Sequence, residues 1–185
     1  MTHLQADTLP QRKGRAFHAL MEAWSLLDLD RDLRPEELVQ QPVWARLLSP
    51  YALSGSHLLE VIGASQGLLA APPLRAWIGL PGGPQPAQRW SERTWRHPDG
   101  RSLRPDWVLR YTTPQEQVRI VDWKWAVLPS EHAAYADQLV GYRELMQHHF
   151  PSATVEASLV SAQGEIWRLE GEGLVHCNPA GRPAL

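Results

Sequence analysis

The centre of the chain reads Val118-Arg119-Ile120-Val121-Asp122-Trp123-Lys124-Trp125. This largely apolar stretch predicts a β-strand over about 117–126. Because side chains alternate between the two faces of a strand, Asp122 and Lys124 point the same way. A charge on a strand that is apolar enough to be buried costs free energy unless it is paired or binds a metal. The stretch therefore predicts an acid that is held inside the protein by a partner.

A second acid, Asp106, follows Pro105 in another strand-like stretch at about 102–111. Proline removes one hydrogen bond from a β-ladder, so this strand lies at an edge or bends at Pro105. If the two strands pair as a hairpin, Asp106 can approach Asp122. Two carboxylates and an ammonium group are what a magnesium-dependent phosphodiesterase needs, because Mg²⁺ prefers oxygen ligands. On the Asp-x-Lys pattern alone, a partly buried structural salt bridge is the favoured interpretation.

The rest of the chain predicts helices before these strands and an alternation of helix and strand after them. The predicted helices cover about 14–29, 35–48, 56–70 and 132–149. The predicted strands cover about 88–96, 102–111, 117–126, 154–162 and 165–170, with an irregular tail from Gly171. Asp99-Gly100 is a hairpin signal between the first two strands. This order predicts a single α/β domain over 1–185, with a mainly helical part at 14–80 and a sheet core with the active site at 87–170.

Composition narrows the class of protein. The chain has 185 residues, of which 43% are hydrophobic and 21% charged, as expected for one globular domain with a sizeable core. No apolar run approaches the roughly 20 residues that span a membrane, and the N-terminus lacks the pattern of a signal peptide. We therefore expect a cytoplasmic protein with no membrane partner. Cys177 is the only cysteine, which excludes an internal disulfide and a four-cysteine iron–sulfur cluster.

The charge distribution is uneven. The net charge of −2 gives no global signal for nucleic-acid binding, but seven arginines lie between Arg89 and Arg119. These side chains either form solvated faces of the hairpin or contact phosphate, and the sequence favours neither. Lys13 and Lys124 are the only lysines. In a chain so poor in lysine, a lysine within an apolar strand is difficult to interpret as a surface residue.

Polar residues on two of the helices add to this pattern. His18 lies on an apolar helical face, where a histidine is most often part of the core. On the helix that follows the central strand, Tyr135, Gln138 and Tyr142 share one face. That face is either the polar rim of an amphipathic core helix or a strip beside the acids that can contact a phosphate or a base.

Taken in order, these pieces resemble the RecB-like nuclease family of the PD-(D/E)xK superfamily, found at the C-terminal end of RecB and AddA helicase-nucleases. The family pattern opens with a Gly…His helix, here 14–22, and an acidic residue on a strand, here Glu92. It continues with Arg104-Pro105-Asp106 and with Asp122-Trp123-Lys124, and it closes with a Tyr-x-x-Gln-Leu-x-x-Tyr helix at 135–142. Each motif is weak alone, whereas five in this order are specific.

The resemblance implies a restriction-endonuclease-like core, with a mixed central sheet flanked by helices and extra N-terminal helices. It also implies a Mg²⁺- or Mn²⁺-dependent deoxyribonuclease, an exonuclease or endonuclease of DNA repair and recombination. The implied metal ligands are His18, Asp106, Asp122 and the backbone carbonyl of Trp123. Lys124 would act on the attacking water, while Gln138 and Tyr142 would support the site or contact DNA. The implied partners are single-stranded DNA or DNA ends.

The chain departs from the family where Arg104-Pro105-Asp106 replaces the frequent Gly-x-x-Asp. It has no phosphate-binding loop of an ATP motor, so the resemblance implies a helicase module in the same polypeptide or complex, or a stand-alone nuclease. Two alternatives stay open. One is a catalytically silent, nuclease-like module for DNA binding or docking, against which the presence of every implied ligand argues. The other is a structural domain whose Asp106, Asp122 and Lys124 form only a salt bridge.

Overall fold

The computed structural model describes residues 7–26, 34–81 and 83–177. The chain divides into two compact units, Met1–Gly67 and Leu68–Leu185. The described part of the N-terminal unit is helical, and the C-terminal unit contains the sheet. Among the described helices, none combines the length and the apolar composition that a membrane span requires.

Within the described residues, the N-terminal unit contains four helices and one 3-10 turn. They are α1 (Leu9–Leu26), α2 (Pro35–Gln40), α3 (Pro42–Leu48), the turn Ser49–Tyr51, and α4 (Gly55–Ala70), whose last residues belong to the next unit. The buried indole of Trp24 packs against that of Trp44, with ring centroids 4.8 Å apart. This contact joins α1 to α3 within the unit.

Helix boundaries in this unit differ from the prediction for identifiable reasons. Helix α1 begins before residue 14 because the side chain of Gln11 accepts a hydrogen bond from the backbone N–H of Thr8 at 2.8 Å, as in a capping box. The single helix predicted over 35–48 is divided at Gln41, because Pro42 cannot donate a hydrogen bond to the preceding turn. The predicted end of the first helix, at Leu29, lies outside the described residues.

The C-terminal unit is a mixed α/β unit. Its helices are α5 (Pro72–Trp77) and α6 (His132–His149), and a 3-10 turn, Pro129–Glu131, precedes α6. Its strands are β1 (Gln88–Ser91), β2 (Trp95–Arg96), β3 (Ser102–Leu103), β4 (Trp107–Tyr111), β5 (Gln117–Lys124), β6 (Thr154–Ser161), β7 (Ile166–Glu170) and β8 (Gly173–Cys177).

Six of these strands form one sheet in the order β1-β4-β5-β6-β7-β8. Strands β5 and β6 are parallel and are connected through α6, and the other neighbours are antiparallel. Strands β2 and β3 form a separate two-stranded hairpin around Gly100, whose φ of 90° suits glycine. The predicted mixed sheet flanked by helices is confirmed at this level.

Three strand predictions were wrong in detail. The strand predicted at 88–96 ends at Ser91 and resumes as β2 at Trp95. The strand predicted at 102–111 is divided into β3 and β4 by the segment that contains Pro105, as expected for a residue without a backbone donor. The tail from Gly171 is not irregular, because a turn at Gly171 leads into β8, which pairs with β7.

The two faces of β5 meet different parts of the unit. Val118 and Ile120 are fully buried in the cluster that also contains Leu139 of α6. On the opposite face, Arg119 stacks over the ring of Trp77 in α5, with its guanidinium carbon 3.9 Å from the ring centroid. Each fully buried large apolar side chain contributes about 1.5–3 kcal/mol to folding. Burial on both faces fixes the register of β5, and the register determines the face of the sheet to which Asp122 points.

Candidate functional site

The register of β4 and β5 brings the two predicted acids together. Trp107 is paired with Val121, so continuing the ladder by one residue places Asp106 opposite Asp122. Asp106 is 7% exposed and Asp122 only 1%. The backbone N–H of Trp123 donates a hydrogen bond of 2.6 Å to Oδ2 of Asp106, which holds this carboxylate against the end of β5.

The backbone N–H and C=O groups of Trp123 point within the sheet towards β4, the strand that Asp106 precedes. The carbonyl of Lys124 accepts a hydrogen bond of 2.9 Å from Ala162, the residue that follows β6. Because backbone groups alternate between the two neighbours of a strand, those of Trp123 face β4. The implied carbonyl ligand therefore lies on the same side as the Asp106 carboxylate, while the indole of Trp123 is buried against Trp107 with ring centroids 5.1 Å apart.

Lys124 lies beside Asp122, as the strand periodicity predicts. Its Nζ forms an ion pair with Oδ2 of Asp122, and the lysine side chain is 16% exposed. The same Nζ lies 5.0 Å from the centroid of the Tyr135 ring on α6, a cation–π distance. The ammonium group is thus held between a buried carboxylate and an aromatic face.

The polar face of α6 lies along these acids. Nε2 of Gln138 donates a long hydrogen bond of 3.4 Å to Oδ1 of Asp122 and a shorter one of 2.8 Å to the hydroxyl of Tyr142. That hydroxyl in turn donates to the carbonyl of Arg104 at 3.4 Å. Because residues four apart lie one above the other on a helix, Gln138 and Tyr142 form a strip. The strip connects Asp122 to the segment that carries Asp106.

The environment keeps the two tyrosines of this helix face protonated. Burial raises the pKa of Tyr142 well above its usual range, and the negative charges of Asp122, Asp106 and Glu92 raise it further. Burial also raises the pKa of Tyr135 to about 12, with help from the charge and hydrogen bond of Glu131. Both phenols are therefore neutral hydrogen-bond donors at physiological pH.

Glu92 is not on a strand, which corrects the sequence-based expectation. It follows the last residue of β1 and adopts a left-handed backbone conformation, with φ of 51°. Its N–H donates a hydrogen bond of 2.8 Å to the carbonyl of Asp106, and its carboxylate accepts one from Nε of Arg104. A non-glycine residue in this conformation is strained, and such residues cluster at functional sites.

Sequence reasoning left Arg104 among the seven arginines that either form solvated faces or contact phosphate, and it did not predict a contact between Tyr135 and Lys124. The signal for Arg104 was present, because it directly precedes Pro105-Asp106, and a residue before proline is held in an extended conformation. The signal for Tyr135 was its position three residues before Gln138 on one helical face.

His18 belongs to the N-terminal unit. It lies on α1, where it is partly buried next to the fully buried Phe17. Its assignment as a metal ligand stays a prediction that rests on the resemblance. The residues that the structure brings together within the C-terminal unit are Asp106, Asp122, Trp123, Lys124, Gln138 and Tyr142, with Glu92 and Arg104 beside them.

The donors of this cluster suit a hard divalent cation. Two carboxylates and a backbone carbonyl form an all-oxygen set, which Mg²⁺ and Mn²⁺ prefer, whereas softer metals prefer nitrogen or sulfur. The ion pair between Lys124 and Asp122 already neutralises one of the two acids. A cation at Asp122 would therefore share this carboxylate with Lys124.

The assignment to a family rests on the motifs of the chain itself. No protein-family model matches the sequence, and no curated protein matches it significantly. The resemblance to RecB-like nucleases therefore stays a prediction, and the geometry around Asp106, Asp122 and Lys124 carries the functional conclusion.

Proposed function

We propose that the chain is a Mg²⁺- or Mn²⁺-dependent DNA nuclease that hydrolyses phosphodiester bonds. The observation that carries the proposal is the convergence of two buried acids and a lysine, Asp106, Asp122 and Lys124, at one end of the β4–β5 pair. Buried carboxylates at the end of a ladder cost free energy. A cation bound between them would add to the compensation that Lys124 gives Asp122, which is a physical reason for this arrangement.

Each residue has a role that its contacts support. Asp106, Asp122 and the carbonyl of Trp123 would hold the cation, with His18 as the further ligand that the resemblance implies. A bound divalent cation would supply positive charge at the phosphate and lower the pKa of a water molecule. Lys124, beside Asp122, would orient the attacking water or stabilise the charge that develops on the phosphate.

Gln138 and Tyr142 would orient the acids rather than carry out the chemistry. The amide of Gln138 contacts Asp122, and the neutral phenol of Tyr142 contacts the backbone beside Asp106. By its resemblance, the chain would act on single strands or ends of DNA, as the exonuclease part of a helicase-nuclease in repair or recombination.

One observation favours a different function. The ion pair between Lys124 and Asp122 leaves the lysine charge compensated, as in a structural salt bridge inside a non-catalytic domain. A nuclease-like module that binds or docks DNA without cutting it would keep the same geometry. Both alternatives predict that the chain leaves DNA intact.

Cleavage of labelled linear DNA tests the proposal. Single- and double-stranded substrates are incubated with Mg²⁺, Mn²⁺ or EDTA. We expect metal-dependent cleavage by the wild type and a loss of at least about 100-fold in Asp122→Ala, in line with the loss of a group that acts directly on the chemistry. Asp137→Ala, an exposed acid on α6, is the matched control and should keep its activity. Equal activity of the wild type and Asp122→Ala in every condition would refute the proposal that the chain is a nuclease.

Calorimetric titration with Mn²⁺ separates the alternatives if no cleavage is seen. A silent module with an intact metal site still binds the ion, and Asp106→Asn abolishes that binding. A structural salt bridge gives no binding heat in either protein.

A further inference from the structure

Arg104 combines a fixed backbone with an exposed charge next to the acids. Its carbonyl accepts a hydrogen bond from Tyr142, and Pro105 joins it directly to Asp106. Its side chain is 58% exposed, and its Nε donates to the carboxylate of Glu92, whose side chain is only 16% exposed. The guanidinium is therefore anchored two residues from a predicted metal ligand and is open to solvent.

Glu92 shares the electrostatic environment of Asp106 and Asp122. Its N–H is bound to the Asp106 carbonyl, and its charge acts on the Tyr142 phenol together with the charges of both aspartates. Arg104 thus compensates the third acid of the cluster. An arriving DNA strand carries its own anions to the same place, and a guanidinium binds phosphate with paired hydrogen bonds.

The side chain of Arg104 is 58% exposed, so a phosphate can approach its guanidinium from solvent and compete with the Glu92 carboxylate for its hydrogen bonds. We propose that Arg104 is a phosphate-binding residue, which leaves Glu92 to contact the backbone of the DNA strand that enters the site. This inference rests on the proposed function and adds a substrate-positioning residue to it.

The chain offers a closely matched control. Arg101 lies three residues earlier, its side chain is also 58% exposed, and its Nε also donates to a carboxylate, that of Asp99 at 2.6 Å. Asp99 is itself exposed, in the turn between β2 and β3. If basic residues in this region bind DNA without positional preference, Arg101 and Arg104 contribute equally.

Binding of a fluorescent single-stranded oligonucleotide to the full chain in EDTA tests the inference without cleavage. We expect Arg104→Ala to raise the Kd about tenfold and to reduce the slope of log K against log salt by about 0.7, the value for one contact to a single strand. Arg104→Lys, which keeps the charge, should recover part of the affinity. Arg101→Ala should stay within twofold of the wild type.

A double-variant cycle tests whether Glu92 and the DNA phosphate compete for Arg104, or whether Glu92 affects binding only through its charge. Glu92→Gln removes the competitor for the guanidinium, so it should tighten binding several-fold when Arg104 is present. In the Arg104→Ala background the same substitution should have no effect on the Kd. An equal gain in both backgrounds would mean that Glu92 acts by repulsion alone, and would overturn the exchange.

The outcomes separate this inference from the proposed function. If Arg104→Ala and Arg101→Ala bind alike while the wild type still cleaves DNA, the role of Arg104 is refuted and the nuclease stands. If the binding pattern holds but no variant or wild type cleaves, the inference stands and the nuclease is refuted. If the wild type binds no oligonucleotide, both are refuted.

Discussion

At the scale of single residues, the site depends on a few unfavourable placements that neighbouring groups compensate. Asp122 is almost fully buried, and Lys124 and Gln138 contact its two oxygens. Glu92 has a backbone conformation that costs a non-glycine residue about 1–2 kcal/mol. The hydrogen bond that the Glu92 N–H donates to the Asp106 carbonyl and the one that its carboxylate accepts from Arg104 hold the residue in this conformation.

The strain at Glu92 gives a prediction about stability. Glu92→Gly and Glu92→Ala both remove the carboxylate, but only glycine adopts φ of 51° without strain. We expect the glycine variant to have a free energy of unfolding about 1 kcal/mol higher than that of the alanine variant, as measured by urea denaturation.

Ser91, the neighbouring residue in β1, is the control for this comparison. There the usual order should hold, with alanine more stable than glycine by about 0.5–1 kcal/mol. Alanine more stable than glycine at both positions would contradict the strained conformation of Glu92.

At the scale of elements, α6 and the ends of β4 and β5 are connected by hydrogen bonds around the acids. Tyr142 contacts both Gln138 on its own helix and the carbonyl of Arg104 before β4. This helix face therefore supports the position of Asp106 and of Asp122 together.

Removal of one hydroxyl tests this support. Tyr142→Phe should lower the free energy of unfolding by about 1 kcal/mol, because the amide of Gln138 and the carbonyl of Arg104 each lose a buried partner. The free energy of unfolding of both variants is measured by thermal denaturation. That of Tyr51→Phe, which changes a tyrosine of the N-terminal unit, should stay within about 0.5 kcal/mol of the wild type. A Tyr142→Phe variant as stable as Tyr51→Phe would argue against the strip.

Local sequence patterns predicted the elements of the site better than their edges. The apolar alternation of β5 and the helical period of α6 placed Asp122, Lys124, Gln138 and Tyr142 correctly on shared faces. The break after β1 was not predictable, because the left-handed conformation at Glu92 is set by its hydrogen bond to Asp106, far along the chain. Strand β8 was missed because it is short and follows glycines, which usually mark turns.

At the scale of the whole molecule, the chain consists of two compact units, and the cluster around Asp106 and Asp122 belongs to the C-terminal one. A property common to both units is that all four tyrosines, Tyr51, Tyr111, Tyr135 and Tyr142, have a pKa raised chiefly by burial. The folded protein therefore keeps these phenols protonated at a pH where an unfolded chain ionises them.

The direction of the resulting pH dependence is fixed. Each pKa is higher in the folded state than the usual value of 10, so the unfolded chain loses protons first as the pH rises. The stabilisation is fully present below pH 10 and is lost as the pH rises from 10 through about 12. We expect a falling melting temperature over this interval, and the part of the tyrosinate absorbance that comes from Tyr135 and Tyr142 should appear only with unfolding. Ionisation of all four tyrosines near pH 10 in a fully folded protein would contradict the burial of these phenols.

The central claim is that Lys124 acts on DNA beside a metal held by Asp106 and Asp122, and single-turnover cleavage of a labelled single strand tests it most directly. The chain has one other lysine, Lys13, whose side chain is 13% exposed and forms an ion pair with Glu60, and it provides the matched control. With Mg²⁺, we predict a rate lower by about 10²–10⁴-fold in Lys124→Ala, an unchanged rate in Lys13→Ala, and no cleavage by any protein in EDTA. Equal rates for the wild type and Lys124→Ala, or cleavage that persists in EDTA, would contradict the account.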